Sequence, residues 1–95
     1  FTHYGMSYRY VPFVNNVKEN LYEMDKKAID LICSLNVMEL NIYLREINST
    51  ICGAYAIMSL MKLVDHKGEL LCYYTSADVY GDYSQAVGYG SIVFK

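Results

Sequence analysis

Side chains that could carry acid–base or metal chemistry are few and widely spaced in this sequence. The histidines are His3 and His66, and the cysteines are Cys33, Cys52 and Cys72. Zinc sites use paired ligands at short spacing, and no Cys-x-x-Cys or His-x₃-His pair occurs. No nucleophile stands in an elbow motif beside a base. The sequence therefore predicts no catalytic residue, no metal site and no bound cofactor.

The surroundings of these residues favour structural roles. His3 lies near the chain end and His66 in a predicted turn, so both are expected to be solvated side chains. Each cysteine follows an apolar residue, which fits free thiols used as small core residues in a reducing compartment. The sequence thus predicts a cytoplasmic protein. Since the chain starts at Phe1 rather than methionine, we expect further residues upstream.

Asp78, Asp82 and Ser84 form the one group of polar side chains that could work together. A carboxylate pair beside a hydroxyl can support acid–base or metal-assisted chemistry. Aspartates in a glycine-rich loop more commonly form Asx turns, however. A small enzyme that uses the Asp78–Ser84 loop is therefore an alternative function and not the preferred one.

Tyrosine is the unusual component of the sequence, with eleven residues against three phenylalanines and no tryptophan. Tyrosine combines a large apolar face with a polar tip and is enriched at recognition surfaces. We predict a non-enzymatic protein-binding module, inhibitor-like or adaptor-like, which could also form a homodimer. The predicted partner-binding residues are Tyr8, Tyr10, Tyr74, Tyr80, Tyr83 and Tyr89. The competing interpretation is that these are ordinary sheet-face and rim residues of a small core.

Charge and hydropathy argue against two further classes of partner. Eight basic residues are spread along the whole chain against ten acidic ones, a net charge of −2, and no basic stripe forms. Binding to a nucleic-acid backbone requires clustered cations, so nucleic acid is not the expected partner. The longest apolar run, 51–64, is interrupted by polar residues and is shorter than the roughly 20 residues that a membrane span requires. No membrane association is predicted.

One long amphipathic helix, over about 16–35, is the clearest predicted element. Asn16 and Glu19 have the spacing of a capping box at its start. Apolar residues then recur at alternating spacings of four and three, which places them on one helical face. They are Val17, Leu21, Met24, Ala28, Leu31 and Leu35.

Residues 37–66 allow two interpretations. Eight residues from Met38 to Arg45 alternate apolar and polar, which favours a strand, although Asn36 and Glu39 could instead cap a helix. The run 54–64 and the segment 69–75 are expected to form a hairpin. The alternative makes 50–66 a helix and the protein a winged-helix nucleic-acid binder.

These elements predict one α+β domain over residues 1–95. The fold is an antiparallel sheet of four to five strands with the long helix packed on one face. Tyr8–Val14 is the expected first strand and Ser91–Lys95 the last. The segment 76–90 is expected to be a surface loop or a short helix.

Overall fold

The computed structural model describes residues 1–95 and confirms an α+β fold. It contains three strands rather than four or five, and four α-helices rather than one. In chain order these are β1 (His3–Gly5), α1 (Val17–Cys33), α2 (Val37–Glu46), α3 (Ala54–Leu63), β2 (Gly68–Thr75), α4 (Ser76–Tyr80) and β3 (Gln85–Phe94), with a 3₁₀ turn at Met6–Tyr8 after β1.

The sheet is antiparallel, with β3 in the centre, β1 on one side and β2 on the other. Strand β1 pairs only with the start of β3, where His3 lies opposite Val87. Strand β2 pairs along most of β3, with an irregular rung between Leu70 and Cys72. The outer edge of β2 has no partner strand in the sheet.

Helix α1 confirms the predicted amphipathic helix. Leu21 and Ala28 of the predicted stripe are buried, whereas its other four residues are only half-buried, and the buried face is completed by Asp25, Ile29 and Ile32. The predicted capping box is wrong, because Asn16 adopts a left-handed backbone with φ of 50° and its side chain makes no cap hydrogen bond. The apolar stripe, packed against both the sheet and α2, is therefore what determines this helix.

Helix α2 replaces the strand that was preferred for residues 38–45. The Asn36 side chain accepts a 3.3 Å hydrogen bond from the Glu39 backbone N–H, which satisfies one free donor of the first turn. Leu40 and Leu44 are buried, whereas Met38 is 76% exposed. Buried side chains thus repeat with the period of a helix. The alternation of apolar and polar residues that suggested a strand does not correspond to burial.

Two further strand predictions are also wrong. The segment 54–64, predicted as one strand of a hairpin, forms helix α3 instead. The alternative of a helix over 50–66 therefore had the correct element type, but the observed helix is shorter. The actual hairpin joins β2 to β3 through α4. The predicted first strand at 8–14 is irregular because Arg9 takes a left-handed φ of 54°, and only Tyr10 forms a bridge, with Gly5.

The interior consists of two small apolar clusters. Residues from α1, α2 and α3 form the larger one, namely Ala28, Ile32, Leu40, Leu44 and Met61. The smaller one joins β1, α1, α4 and β3 through Tyr4, Leu21, Ala77 and Ala86. Only 16 of 95 residues are buried, and large side chains such as Tyr55 and Leu63 are more than 80% exposed. None of the helices is both long and apolar enough to cross a membrane.

Candidate functional site

His3 is fixed to the segment that precedes α3 by a reciprocal pair of hydrogen bonds. Its backbone N–H donates to Oγ1 of Thr50 over 2.8 Å, and the same Thr50 hydroxyl donates to the His3 carbonyl over 2.9 Å. One side chain therefore satisfies both backbone groups of His3 on the edge of β1 that faces away from β3. This contact joins residues 47 positions apart in the sequence.

The imidazole of His3 is oriented by its neighbours. Its Nδ1 lies 3.0 Å from the carbonyl oxygen of Phe1. Because a carbonyl can only accept, this contact requires the proton on Nδ1 and leaves Nε2 of the neutral ring with a free lone pair. The ring also packs edge-on against Tyr8, with centroids 5.2 Å apart. The expectation of a freely solvated His3 is wrong, since the residue lies half-buried in β1.

Cys52 follows, by two positions, the threonine that binds the His3 backbone. It is exposed and stands in the turn before Gly53, which begins α3 with a φ of 71°. Cys52 is two positions after Thr50, so their Cα atoms are at most about 7 Å apart. The other thiols differ in position, because Cys33 is half-buried in α1 and Cys72 is exposed on β2. The backbone of His3 and the turn that holds the exposed Cys52 are thus both adjacent to Thr50.

Asp25 is fully buried on α1 and accepts hydrogen bonds from Thr2, just before β1, and from Tyr73 of β2. The Thr2 hydroxyl donates to its Oδ1 over 2.5 Å, and the Thr2 backbone N–H lies 3.2 Å from both carboxylate oxygens. The Tyr73 hydroxyl donates to Oδ2 over 2.5 Å. Burial, followed by the charge of Asp25 and this hydrogen bond, strongly raises the pKa of Tyr73, which stays protonated as a donor.

Sequence reasoning missed Thr2, Asp25 and Thr50. A signal was present for Asp25 alone, because it lies four residues after Leu21 and three before Ala28, within the apolar stripe of α1. A carboxylate on a buried face must receive hydrogen bonds from elsewhere in the chain.

The predicted Asp78–Ser84 group is used for local structure. Asp78 and Thr75 form a capping box at the start of α4, and the hydroxyls of Tyr22 and Tyr83 donate to the same Asp78 carboxylate. Partial burial raises the pKa of Asp78, but these hydrogen bonds outweigh it and leave the pKa well below its usual range. Asp82 accepts the Ser84 backbone N–H over 2.9 Å, as in the Asx-turn interpretation.

The six tyrosines of the predicted partner surface occupy different environments. Tyr74 and Tyr89 lie side by side on the β2–β3 hairpin, with ring centroids 5.5 Å apart. Tyr10 is buried, and its hydroxyl donates to the carbonyl of Ile47 over 2.6 Å. Of the other three, Tyr8 packs beside the His3 ring, and Tyr80 is exposed at the end of α4. The hydroxyl of Tyr83 donates to Asp78. Contact of these residues with a protein partner or a second copy stays a prediction.

No group of three or more His, Cys, Asp or Glu side chains is arranged to hold a metal ion.

Comparison with known proteins identifies a family. Residues 1–93 match the family model described as Memo-like protein. The chain is 40% identical over 75 residues to a MEMO1 family protein of Methanopyrus kandleri, covering 75% of this chain and 26% of that protein. The corresponding protein of Nitrosopumilus maritimus is 43% identical over 77 residues, with 77% and 28% covered. That of Thermococcus kodakarensis is 34% identical over 102 aligned residues, with 100% and 35% covered. No solved structure matches the chain.

These matches correct the function inferred from composition. The prediction of an inhibitor-like or adaptor-like protein-binding module is wrong, because the sequence matches a family of a different kind along almost its whole length. Tyrosine content was a poor guide, since several of the phenols satisfy internal acceptors such as Asp25 and Asp78. The chain spans about a quarter to a third of the length of the relatives described above.

Proposed function

Because this chain belongs to the Memo-like family, we propose that it supplies part of the active site of a dioxygenase-like enzyme. The residues that it contributes are His3 and Cys52. The observation that carries the proposal is the reciprocal hydrogen-bond pair between Thr50 and the His3 backbone, which holds the backbone of β1 against the segment two residues before Cys52.

The chemistry of these two side chains fits a first-row transition metal. Imidazole nitrogen and thiolate sulfur are both ligands for iron and zinc. A metal-binding histidine commonly donates its other ring N–H to a carbonyl or carboxylate, and the contact between Nδ1 of His3 and the Phe1 carbonyl has this form. When bound, the metal would supply Lewis-acid or redox chemistry. Two donors do not complete a site, so further ligands would come from the parts of the relatives that this chain does not span.

The chain's own residues have binding and orienting roles in this proposal. Thr50 fixes the position of the His3 backbone, and the Phe1 carbonyl holds the ring proton at Nδ1 so that Nε2 remains a donor of electron density. The Tyr8 ring packs edge-on against the imidazole and limits its rotation. The exposed Cys52 thiol remains accessible to a ligand.

Titration of the purified chain with Co²⁺ tests the proposal. Cobalt bound by a thiolate gives a charge-transfer band in the near ultraviolet, which reports Cys52 directly. We expect the band in the parent chain, its loss in Cys52→Ser, and a binding affinity at least about tenfold lower in His3→Ala. The matched controls are Cys72→Ser and His66→Ala, which remove the same side chains from exposed positions elsewhere and should leave the band unchanged. A band that disappears in Cys72→Ser and persists in Cys52→Ser would refute the assignment.

A cytoplasmic location also belongs to the proposal. It is supported by the three free cysteines, since thiols persist in reducing compartments.

A further inference from the structure

We infer that Asp25 is a positioning residue for His3: it holds residues 1 and 2 so that the Phe1 carbonyl meets Nδ1 of the imidazole. The inference depends on the proposed function for the role of His3, and on the hydrogen bonds around Asp25 for everything else. Asp25 does not touch the proposed ligand site itself, because it is fully buried on α1.

Thr2 is the first connection between the two residues. It has no exposed surface, and both its N–H and its hydroxyl donate to the Asp25 carboxylate. Its carbonyl accepts a 3.0 Å hydrogen bond from the Gly88 N–H of β3. The backbone of Thr2 is thereby fixed on both sides, by a helix and by the central strand.

Phe1 and His3 are the chain neighbours of Thr2, so the fixed backbone of Thr2 also restricts their positions. The Phe1 nitrogen donates to the Gly88 carbonyl over 2.7 Å, which holds Phe1 against the same strand. The Phe1 carbonyl then lies 3.0 Å from Nδ1 of His3. The path from Asp25 to the imidazole therefore runs through the peptide group between Phe1 and Thr2, whose N–H donates to Asp25 and whose carbonyl meets Nδ1 of His3.

The site specifically requires a carboxylate. Three donors converge on Asp25, namely the N–H and hydroxyl of Thr2 and the hydroxyl of Tyr73. An ionised carboxylate is an acceptor at both oxygens, whereas an asparagine would turn an NH₂ group toward one of these donors. Close packing reinforces the arrangement, because a Cβ at position 88 would overlap Oδ2 of Asp25 and approach the Tyr73 hydroxyl to 2.7 Å.

The experiment measures the tautomer of His3 by ¹⁵N NMR of the imidazole in the metal-free chain. The parent should show predominantly the Nδ1–H form. Asp25→Asn should shift the ring toward an even mixture of tautomers and weaken Co²⁺ binding by about tenfold or more. Asp78→Asn is the matched control, since it removes another hydrogen-bonded carboxylate that has no contact with β1. It should lower the stability but leave the His3 tautomer unchanged.

A second pair of variants keeps the carboxylate and does not depend on the folding of Asp25→Asn. Thr2→Val removes only the hydroxyl donor to Asp25, and Thr2→Ser restores it. We expect the tautomer shift in the valine variant and its reversal in the serine variant. An unchanged Nδ1–H form in both Asp25→Asn and Thr2→Val would overturn the inference. If the Co²⁺ controls of the proposed function fail instead, the tautomer measurement still decides the role of Asp25.

Discussion

Asp25 on α1 and Tyr73 on β2 are joined by a 2.5 Å hydrogen bond across 48 positions of sequence. The Cα of Gly88 on β3 lies against this pair, with no room for a side chain. A helix, an edge strand and the central strand thus meet at one buried carboxylate.

Gly88→Ala should strongly destabilise the fold. The added Cβ would overlap Oδ2 of Asp25, and overpacking of this kind costs about 1–3 kcal/mol. Chemical denaturation measures the effect, with Ser91→Ala, at an exposed position of the same strand, as the control. Combined with Tyr73→Phe, which removes the second clashing group, the cost of Gly88→Ala should decrease. Equal stability of Gly88→Ala and the parent would contradict the observed packing.

The core predicts a contrast between two positions of α2. Leu40 is 1% exposed in the larger cluster, so Leu40→Ala should reduce the free energy of unfolding by about 2–5 kcal/mol. Met38 is 76% exposed, and Met38→Ala should change it by less than about 0.5 kcal/mol. Urea denaturation of both variants makes the comparison. Similar losses at the two positions would indicate that both faces of this segment are buried, which a helix at the surface does not allow.

The lowered pKa of Asp78 predicts that the fold loses stability in acid. Its pKa in the folded chain is lowered by hydrogen bonds from Tyr22, Tyr83 and Thr75, which outweigh the effect of burial. The unfolded chain takes up the proton near the ordinary aspartate pKa of about 3.9, whereas the folded chain stays ionised. The stabilisation is therefore complete above about pH 5 and is lost as the pH falls below about 4 toward the folded pKa. Unfolding measured from pH 6 to pH 3 should show a shallower decline for Asp78→Asn than for the parent.

The raised pKa of Tyr43 predicts that the fold also loses stability in alkali. Burial, and then the nearby charge of Asp25, raise its pKa to about 12, and its hydroxyl donates to the Met24 carbonyl over 3.0 Å. The unfolded chain ionises this phenol near pH 10 and the folded chain only above it, so the stabilisation is complete below about pH 10 and is lost toward pH 12. Urea denaturation at pH 9 and pH 11 should show a smaller decrease for Tyr43→Phe. An equal decrease in the two proteins would assign the alkaline loss to other groups.

Elements with one clear local pattern of apolar residues could be predicted from the sequence. Elements that depend on contacts between distant segments of the chain could not. Helix α1 has an apolar stripe of only one period, so its type and range were clear. In α2 the same residues satisfied both periods, and burial against Met61 of α3 decides the outcome. The run in α3 is apolar on nearly all sides and carries no period at all. Strand β1 has three residues and exists because β3 pairs with it.

The candidate site depended even more on distant contacts. His3 and Cys52 are each unremarkable in the sequence, and only the Thr50 hydrogen bonds bring their segments together. Such side-chain to backbone contacts leave no spacing pattern. Asp25 could have been singled out as a charge on an apolar face. Its partners could not, because Thr2 lies 23 positions before it and Tyr73 lies 48 positions after it.

The irregular rung at Leu71 bears on how this chain behaves at high concentration. An outermost strand with free N–H and C=O groups can recruit the same strand of another molecule and seed fibres. A bulge bends and twists such a strand away from the flat, regular geometry that stacking of identical chains requires. We therefore expect the extra residue between Leu70 and Cys72 to disfavour edge-to-edge pairing of this eight-residue strand with copies of itself.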